Sequence, residues 1–224
     1  MQTFDLKRRI VSEAVGTAIL VAAVVGSGIM ADRLTDDTAL ALLANTLATG
    51  AILVVLISTL GPVSGAHFNP AISLVMAVSR SIGWRDFAGY TGAQVLGGIL
   101  GTMAAHLMFD LPLLSLSTTA RTGGAQWFSE GVAAFGLAFV ILMAVRYRAN
   151  SVAWLVGLYI VSAYWFTAST SFANPAVAIA RSLTNTFAGI RPVDLPGFML
   201  AEFAGALLAL GLCAWLLKAE SKSA

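Results

Sequence analysis

The triplet Asn-Pro-Ala occurs twice in this chain, at Asn69-Pro70-Ala71 and Asn174-Pro175-Ala176, and both copies sit at matching places in an internal repeat. Ser12-Glu13-Ala14-Val15-Gly16 is echoed by Ser129-Glu130-Gly131-Val132-Ala133. Ala66-His67-Phe68-Asn69-Pro70-Ala71 is echoed by Ser171-Phe172-Ala173-Asn174-Pro175-Ala176, and Ala93-Gln94-Val95-Leu96-Gly97-Gly98 by Ala201-Glu202-Phe203-Ala204-Gly205-Ala206. The three echoes keep one order, at offsets of 117, 105 and 108 residues. Self-similarity of this kind marks two copies of one structural unit. The repeats are read as residues 1–115 and 116–224, within a single domain over 1–224.

The solvent for this domain is lipid. Hydrophobic residues make up 58% of the 224 residues and charged residues 11%, too little charge to coat a soluble domain of this size. A membrane helix needs about 20 largely apolar residues, and six such segments can be drawn: 10–30, 39–60, 84–108, 126–145, 151–168 and 196–217. The run from Val11 to Met30 follows Lys7, Arg8 and Arg9 but is too long for a signal-peptide core, so it reads as the first span. Three spans per repeat is an odd number, so the two repeats lie inverted across the bilayer. With six spans both termini share one face, together with Lys7, Arg8, Arg9, Arg80, Arg85, Arg146, Arg148, Lys218 and Lys222. The positive-inside rule makes that face cytoplasmic, in a multi-pass protein of a cell membrane. A formal net charge of +2 gives no reason to expect nucleic acid as a partner.

Two connections, 61–80 and 169–195, are too apolar for solvent loops and too short to span as helices. Each is a candidate re-entrant segment, because non-helical backbone at membrane depth is tolerated where it lines a wet cavity. Asn is a favoured N-cap and Pro suits the first helical position. Each Asn-Pro-Ala therefore predicts the start of a short helix, and inversion brings the two starts together near the bilayer centre. Each helix start carries roughly half a positive charge, so the pair opposes a cation or hydronium ion there. The Asn69 and Asn174 amides remain able to donate to a neutral oxygen. Inverted repeats with one broken segment apiece place a solute pathway at their interface.

Over nearly its whole length the chain resembles the aquaporin and aquaglyceroporin superfamily. The residues that carry the resemblance are Glu13-Ala14-Val15-Gly16-Thr17, Ser64-Gly65-Ala66-His67-Phe68-Asn69-Pro70-Ala71, Ala93-Gln94-Val95-Leu96-Gly97-Gly98, Glu130, Asn174-Pro175-Ala176 and Ala201-Glu202-Phe203-Ala204-Gly205. The resemblance implies an all-α membrane fold with six transmembrane helices and two re-entrant half-helices, assembled as a homotetramer with one pore per subunit. It also implies that Glu13, Glu130 and His67 brace the re-entrant loops. Gln94 and Glu202 are expected to do similar work. An ionisable group at membrane depth is otherwise read as functional, and proton relay through Glu13 or Glu130 is the rival reading. His106 reads as a packing residue. Gly97 with Gly101 and Gly205 with Ala209 are small-residue pairs suited to close helix approach. Two separated histidines and Cys213 cannot make a metal site, and no cofactor is expected.

One position departs from the family pattern. The residue after the second Asn-Pro-Ala is usually an arginine that helps form the outer selectivity filter; here it is Val177. The other filter positions, carried over by spacing, fall 20 residues before Asn69 at Thr49, and 12 and 3 residues before Asn174 at Ser162 and Ser171. The expected filter of Thr49, Ser162, Ser171 and Val177 then has no large side chain and no charge, unless Phe166 or Phe172 refills the gap. Arg181, one helical turn beyond Val177, is expected to guard the outer vestibule.

Val177 together with Thr49 resembles the arsenic-resistance branch of bacterial aquaglyceroporins, the aquaporin S type. The resemblance implies a passive channel for trivalent arsenicals such as arsenite and methylated arsenicals, serving efflux, with glycerol and water as further permeants. The alternative within the class is a broad glycerol, urea or ammonia facilitator. A gradient-coupled secondary transporter also fits inverted repeats, but only Glu13 and Glu130 are available for coupling. A non-conducting junction protein on the same fold is a further rival, against which an open filter argues. The sequence offers no nucleophile–base pair, so an enzyme is not expected.

Overall fold

Asp5, Asp37, Asn69 and Asn174 each accept hydrogen bonds from the first free backbone N–H groups of the helix that follows them. These caps fix where four of the eight α-helices begin in the computed structural model, which describes residues 4–218. The helices are α1 (Leu6–Leu34), α2 (Thr38–Ser64), α3 (Pro70–Val78), α4 (Trp84–Met108), α5 (Gly124–Tyr147), α6 (Val152–Phe166), α7 (Pro175–Arg181) and α8 (Leu195–Leu216). Short 3-10 turns at Ala149–Ser151 and Pro192–Asp194 lead into α6 and α8. Lys222, counted above among the cytoplasmic charges, lies outside the described residues.

Six of the helices correspond to the six apolar segments, and α3 and α7 are the half-helices of an aquaporin-like fold. Among the described residues, five spans are long and apolar enough by composition to cross a bilayer. α4 has the length, 25 residues, but carries Arg85, Asp86, Gln94 and His106. α2 runs further than its apolar segment suggested. It continues through Pro62 to Ser64, and Gly65, at φ 92°, ends it in the left-handed conformation. The non-helical stretch between α2 and α3 is therefore only residues 65–69.

Close packing repeats between the halves. A Cβ added at Gly97 of α4 would lie 2.2 Å from the Ala14 carbonyl oxygen of α1, and one at Gly205 of α8 would lie 2.1 Å from that of Gly131 in α5. Lipid supplies no hydrophobic drive between helices, so backbone approach of this kind does much of the holding. Large apolar side chains such as Phe128, Leu200 and Trp215 point outward, which inverts the pattern of a soluble protein. The half-helices interlock the two repeats: α3 packs on α4 and also on α5 and α8, while α7 packs on α8 and also on α1 and α4.

Candidate functional site

Each re-entrant loop turns on non-glycine residues in left-handed backbone. In the first these are Ala66 (φ 51°) and Phe68 (φ 48°); in the second, Thr170 (φ 62°), Ser171 (φ 51°) and Ala173 (φ 49°). Such conformations cost about 1–3 kcal/mol apiece and persist only where surrounding structure enforces them. Here a buried carboxylate does the enforcing. Glu13 accepts from the N–H groups of His67 (3.0 Å) and Phe68 (2.6 Å) and from the Ser64 hydroxyl (2.6 Å). Glu130 accepts from the N–H groups of Phe172 (2.9 Å) and Ala173 (2.7 Å). With their oxygens committed to backbone donors, both glutamates act as braces. The His67 ring sits 3.1 Å from Ser73 Oγ through Nδ1 and packs edge-on against Tyr90.

The repeats differ in the next layer. Gln94 donates from Nε2 to Glu13 (2.8 Å) and to Ser73 Oγ (3.0 Å). Its counterpart Glu202 instead accepts from the Asn174 N–H (3.0 Å), and its Oε2 has no partner among the described residues. His106 is fully buried between the Pro112 carbonyl (2.6 Å) and Thr184 Oγ1 (2.7 Å), away from the cavity lining.

The two Asn-Pro-Ala segments meet. Asn69 accepts from the N–H of Ala71 (2.9 Å) through Oδ1 and donates from Nδ2 to the Ala173 carbonyl (2.7 Å). Asn174 accepts from the N–H of Ala176 (3.0 Å) and donates to the Phe68 carbonyl (2.8 Å). An amide nitrogen carries two hydrogens, so each side chain keeps one N–H free of these bonds. Both asparagines line one central cavity of about 70 Å³.

Leu20, Val24, Leu53, Leu137, Val156 and Ile160 give this cavity an apolar wall, and Thr49, Ser171, Val177, Tyr164, Phe172 and Arg181 line it too. Thr49 Oγ1 lies 3.3 Å from the Tyr164 hydroxyl, and Ser171 Oγ is buried with no hydrogen-bond partner among the described residues. Val177 is 5% exposed, with its N–H directed at Asn174 Oδ1 (3.3 Å).

Three expectations are corrected here. Ser162 does not line the cavity: it is exposed on the outer face of α6, its hydroxyl donating to the Leu158 carbonyl (3.0 Å). Tyr164, two residues on, takes the inward position. Two residues turn a helix by about 200°, so a side chain two places along faces the opposite way. The wall is also neither small nor uncharged, because Tyr164, Phe172 and Arg181 belong to it. Phe166, the other aromatic considered, is 57% exposed and plays no part. Arg181 is 2% exposed, with its Cζ 3.4 Å from the Phe172 ring centroid. It therefore stands in the cavity wall rather than guarding a vestibule outside it. Sequence reasoning missed Tyr164; the available signal was its place on the same α6 face as Val156 and Ile160, at i+8 and i+4.

Comparison with known proteins matches this architecture. Residues 1–151 match the Major intrinsic protein family. The chain is 68% identical over 218 residues to "Aquaglyceroporin AqpS" of Rhizobium meliloti (strain 1021), covering 97% of this chain and 94% of that protein. It is 33% identical over 196 residues to "Aquaporin NIP2-1" of Zea mays, covering 83% of this chain and 64% of the plant protein. The fold superposes on the X-ray structure of the aquaglyceroporin from Plasmodium falciparum with a TM-score of 0.74 at 19% identity, over 93% of this chain and 95% of that one. With the Asn-Pro-Ala pair meeting at its centre and a family match over most of its length, this chain belongs to the major intrinsic protein family, the aquaporins and aquaglyceroporins.

Proposed function

We propose that this multi-pass membrane channel passes trivalent arsenicals, arsenite and its methylated forms, out of the cell down their gradient, with glycerol and water as further permeants. Val177 carries the reading. A short apolar side chain stands directly after the second Asn-Pro-Ala, in a cavity shared with Thr49, where the family pattern puts a guanidinium. Arsenite at neutral pH is mostly an uncharged trihydroxide similar in shape to glycerol. A neutral solute loses little from the lack of charge at position 177 itself and gains the width there. The name of the relative at 68% identity, an aquaglyceroporin, supports the class of solute. The proposal includes a homotetramer in the lipid bilayer of a bacterial cell membrane, with both termini cytoplasmic.

A second reading, a broad glycerol, urea or ammonia facilitator, is favoured by one observation. Tyr164, Phe172 and Arg181 give the cavity aromatic and cationic groups, the combination associated with glycerol channels. Stopped-flow measurements on proteoliposomes separate the two readings. Arsenite and methylated arsenicals are expected to enter at rates comparable to glycerol. Glycerol and urea flux without arsenical flux would make the protein a general facilitator.

A further inference from the structure

The guanidinium of Arg181 is held on two sides and left open on a third. Nε donates to the Ala188 carbonyl at 2.5 Å. The planar group lies over the Phe172 ring, Cζ 3.4 Å from its centroid, a distance at which ring quadrupole and cation attract. Nη1 and Nη2 find no acceptor among the described residues, yet they are not among the side-chain nitrogens sealed away without a partner. No carboxylate among the described residues lies within ion-pair distance of this group. A guanidinium that is 2% exposed and has no counter-ion is costly unless its remaining N–H groups meet water or a solute. The space that can supply either is the cavity that Arg181 lines with Val177, Thr49 and both asparagines.

The surrounding charges leave this cation without a contact ion pair. Asp194 is engaged by Arg191 (3.1 Å) and by the backbone N–H of Arg121 (2.7 Å). Arg121 is itself a second cation on Phe172, with Cζ 5.1 Å from the ring centroid, and its Nε donates to the Gly189 carbonyl (2.8 Å). Glu130 and Glu202 are near enough for their charge to be felt at Arg181, but they accept backbone N–H groups of residues 172–174 rather than contacting the guanidinium.

We propose that Arg181, one helical turn beyond the vacated filter position at Val177, is the charged filter group of this pore. Its free Nη groups repel cations and donate hydrogen bonds to the hydroxyls of passing neutral solutes. The side chain reaches the cavity because Phe172 supplies a flat platform and Ala188 a carbonyl that fix it there. The filter guanidinium is thereby displaced along the pore rather than lost, which leaves Val177 as the wide point and Arg181 as the selective one. The inference rests on the channel reading and is independent of whether arsenicals are the solute.

The test uses the full chain in proteoliposomes, with Arg181→Met and Arg181→Lys beside wild type. Four quantities are read: glycerol flux, arsenite flux, water flux, and cation leak under a potassium diffusion potential. Methionine keeps length and an apolar contact with Phe172 but removes charge and donors. Arg181→Met is expected to raise cation leak about tenfold while still passing water. Arg181→Lys keeps a point charge but loses the planar fork of donors. It is expected to stay cation-tight while its glycerol-to-water ratio shifts about threefold or more. A side chain that only props the loop would leave that ratio at the wild-type value in every variant that folds. An unchanged ratio in Arg181→Lys therefore overturns the proposal, even if Arg181→Met fails to fold, and so does a Met variant as cation-tight as wild type. Wild-type protein that passes neither glycerol nor water would instead sink the channel reading. Wild type that passes glycerol but no arsenical would sink the arsenical reading alone.

Discussion

Asn69 reaches across the repeat boundary to place its Nδ2 2.7 Å from the carbonyl oxygen of Ala173, the residue just before the second Asn-Pro-Ala. Asn174 returns the bond to Phe68 at 2.8 Å. Each asparagine thus caps its own half-helix and staples the opposite loop. Replacing a capping asparagine by alanine costs about 0.5–2 kcal/mol through the lost cap alone, and the buried carbonyl left without its donor adds about 1–3 kcal/mol. Asn69→Ala and Asn174→Ala are each expected to lower the thermal midpoint of the detergent-solubilised protein. The double variant should lose less than the sum, because both bonds brace one junction. Strict additivity would show that the two loops are held independently.

Helix spacing sets the second expectation. Gly97→Ala and Gly205→Ala each drive a Cβ into a backbone oxygen of a neighbouring helix, at 2.2 and 2.1 Å, where no rotamer change gives relief. Each is expected to destabilise the fold by about 1–3 kcal/mol. Gly211→Ala, on α8 with nothing within 4 Å of the new atom, is the control and should change stability little. The readout is the fraction remaining monodisperse after heating. A Gly97→Ala variant as stable as Gly211→Ala would mean that α1 and α4 sit further apart than a 2.2 Å approach to the Ala14 carbonyl requires.

Topology can be read by labelling. The only cysteine, Cys213, is buried and forms a quiet background. Asp36→Cys, in the α1–α2 connection, is expected to react with an impermeant thiol reagent on intact cells. Ser81→Cys, in the exposed α3–α4 connection beside Arg80, should react only after permeabilisation. The reverse pattern would put both termini outside the cell.

How far the sequence could be read depended on how local each residue's chemistry is. Asn69, Pro70, Asn174 and Pro175 announce helix starts by their own preferences. Glu13 and Glu130 stand out because a carboxylate in an apolar run needs donors, and the loops provide them. Ser162 failed because it was reached by counting back from Asn174, and such a count carries no information about the rotation of α6. Tyr164 and Phe172 entered the wall only once α6 and the second loop were packed. Arg181 was placed on the correct helical face, but its inward course depends on Ala188 and Phe172, contacts that no spacing rule contains. α2 outran its expected end because a proline near a helix terminus removes one N–H, a loss that membrane helices tolerate.

The last expectation concerns the width at Val177. Val177→Arg puts a long side chain into the cavity where valine leaves room, one turn from Arg181 on the same short helix. Size acts first, since the proposed solutes are neutral and feel little net Coulomb force. Charge acts second: two guanidinium groups a helical turn apart hold water between them and repel one another, which favours small, strongly hydrated permeants. Methylated arsenicals should therefore lose most flux, arsenite and glycerol less, and water least. Thr49→Phe should act in the same direction, by volume and by displacing the hydroxyl that lies 3.3 Å from Tyr164. One to two kcal/mol of added barrier corresponds to about 5–30-fold in flux, well within the resolution of vesicle uptake at matched protein content. If Val177→Arg leaves arsenical uptake unchanged, or lowers water and arsenite by the same factor, then Val177 does not set the width. The selective point would then lie wholly with Arg181, Phe172 and Tyr164.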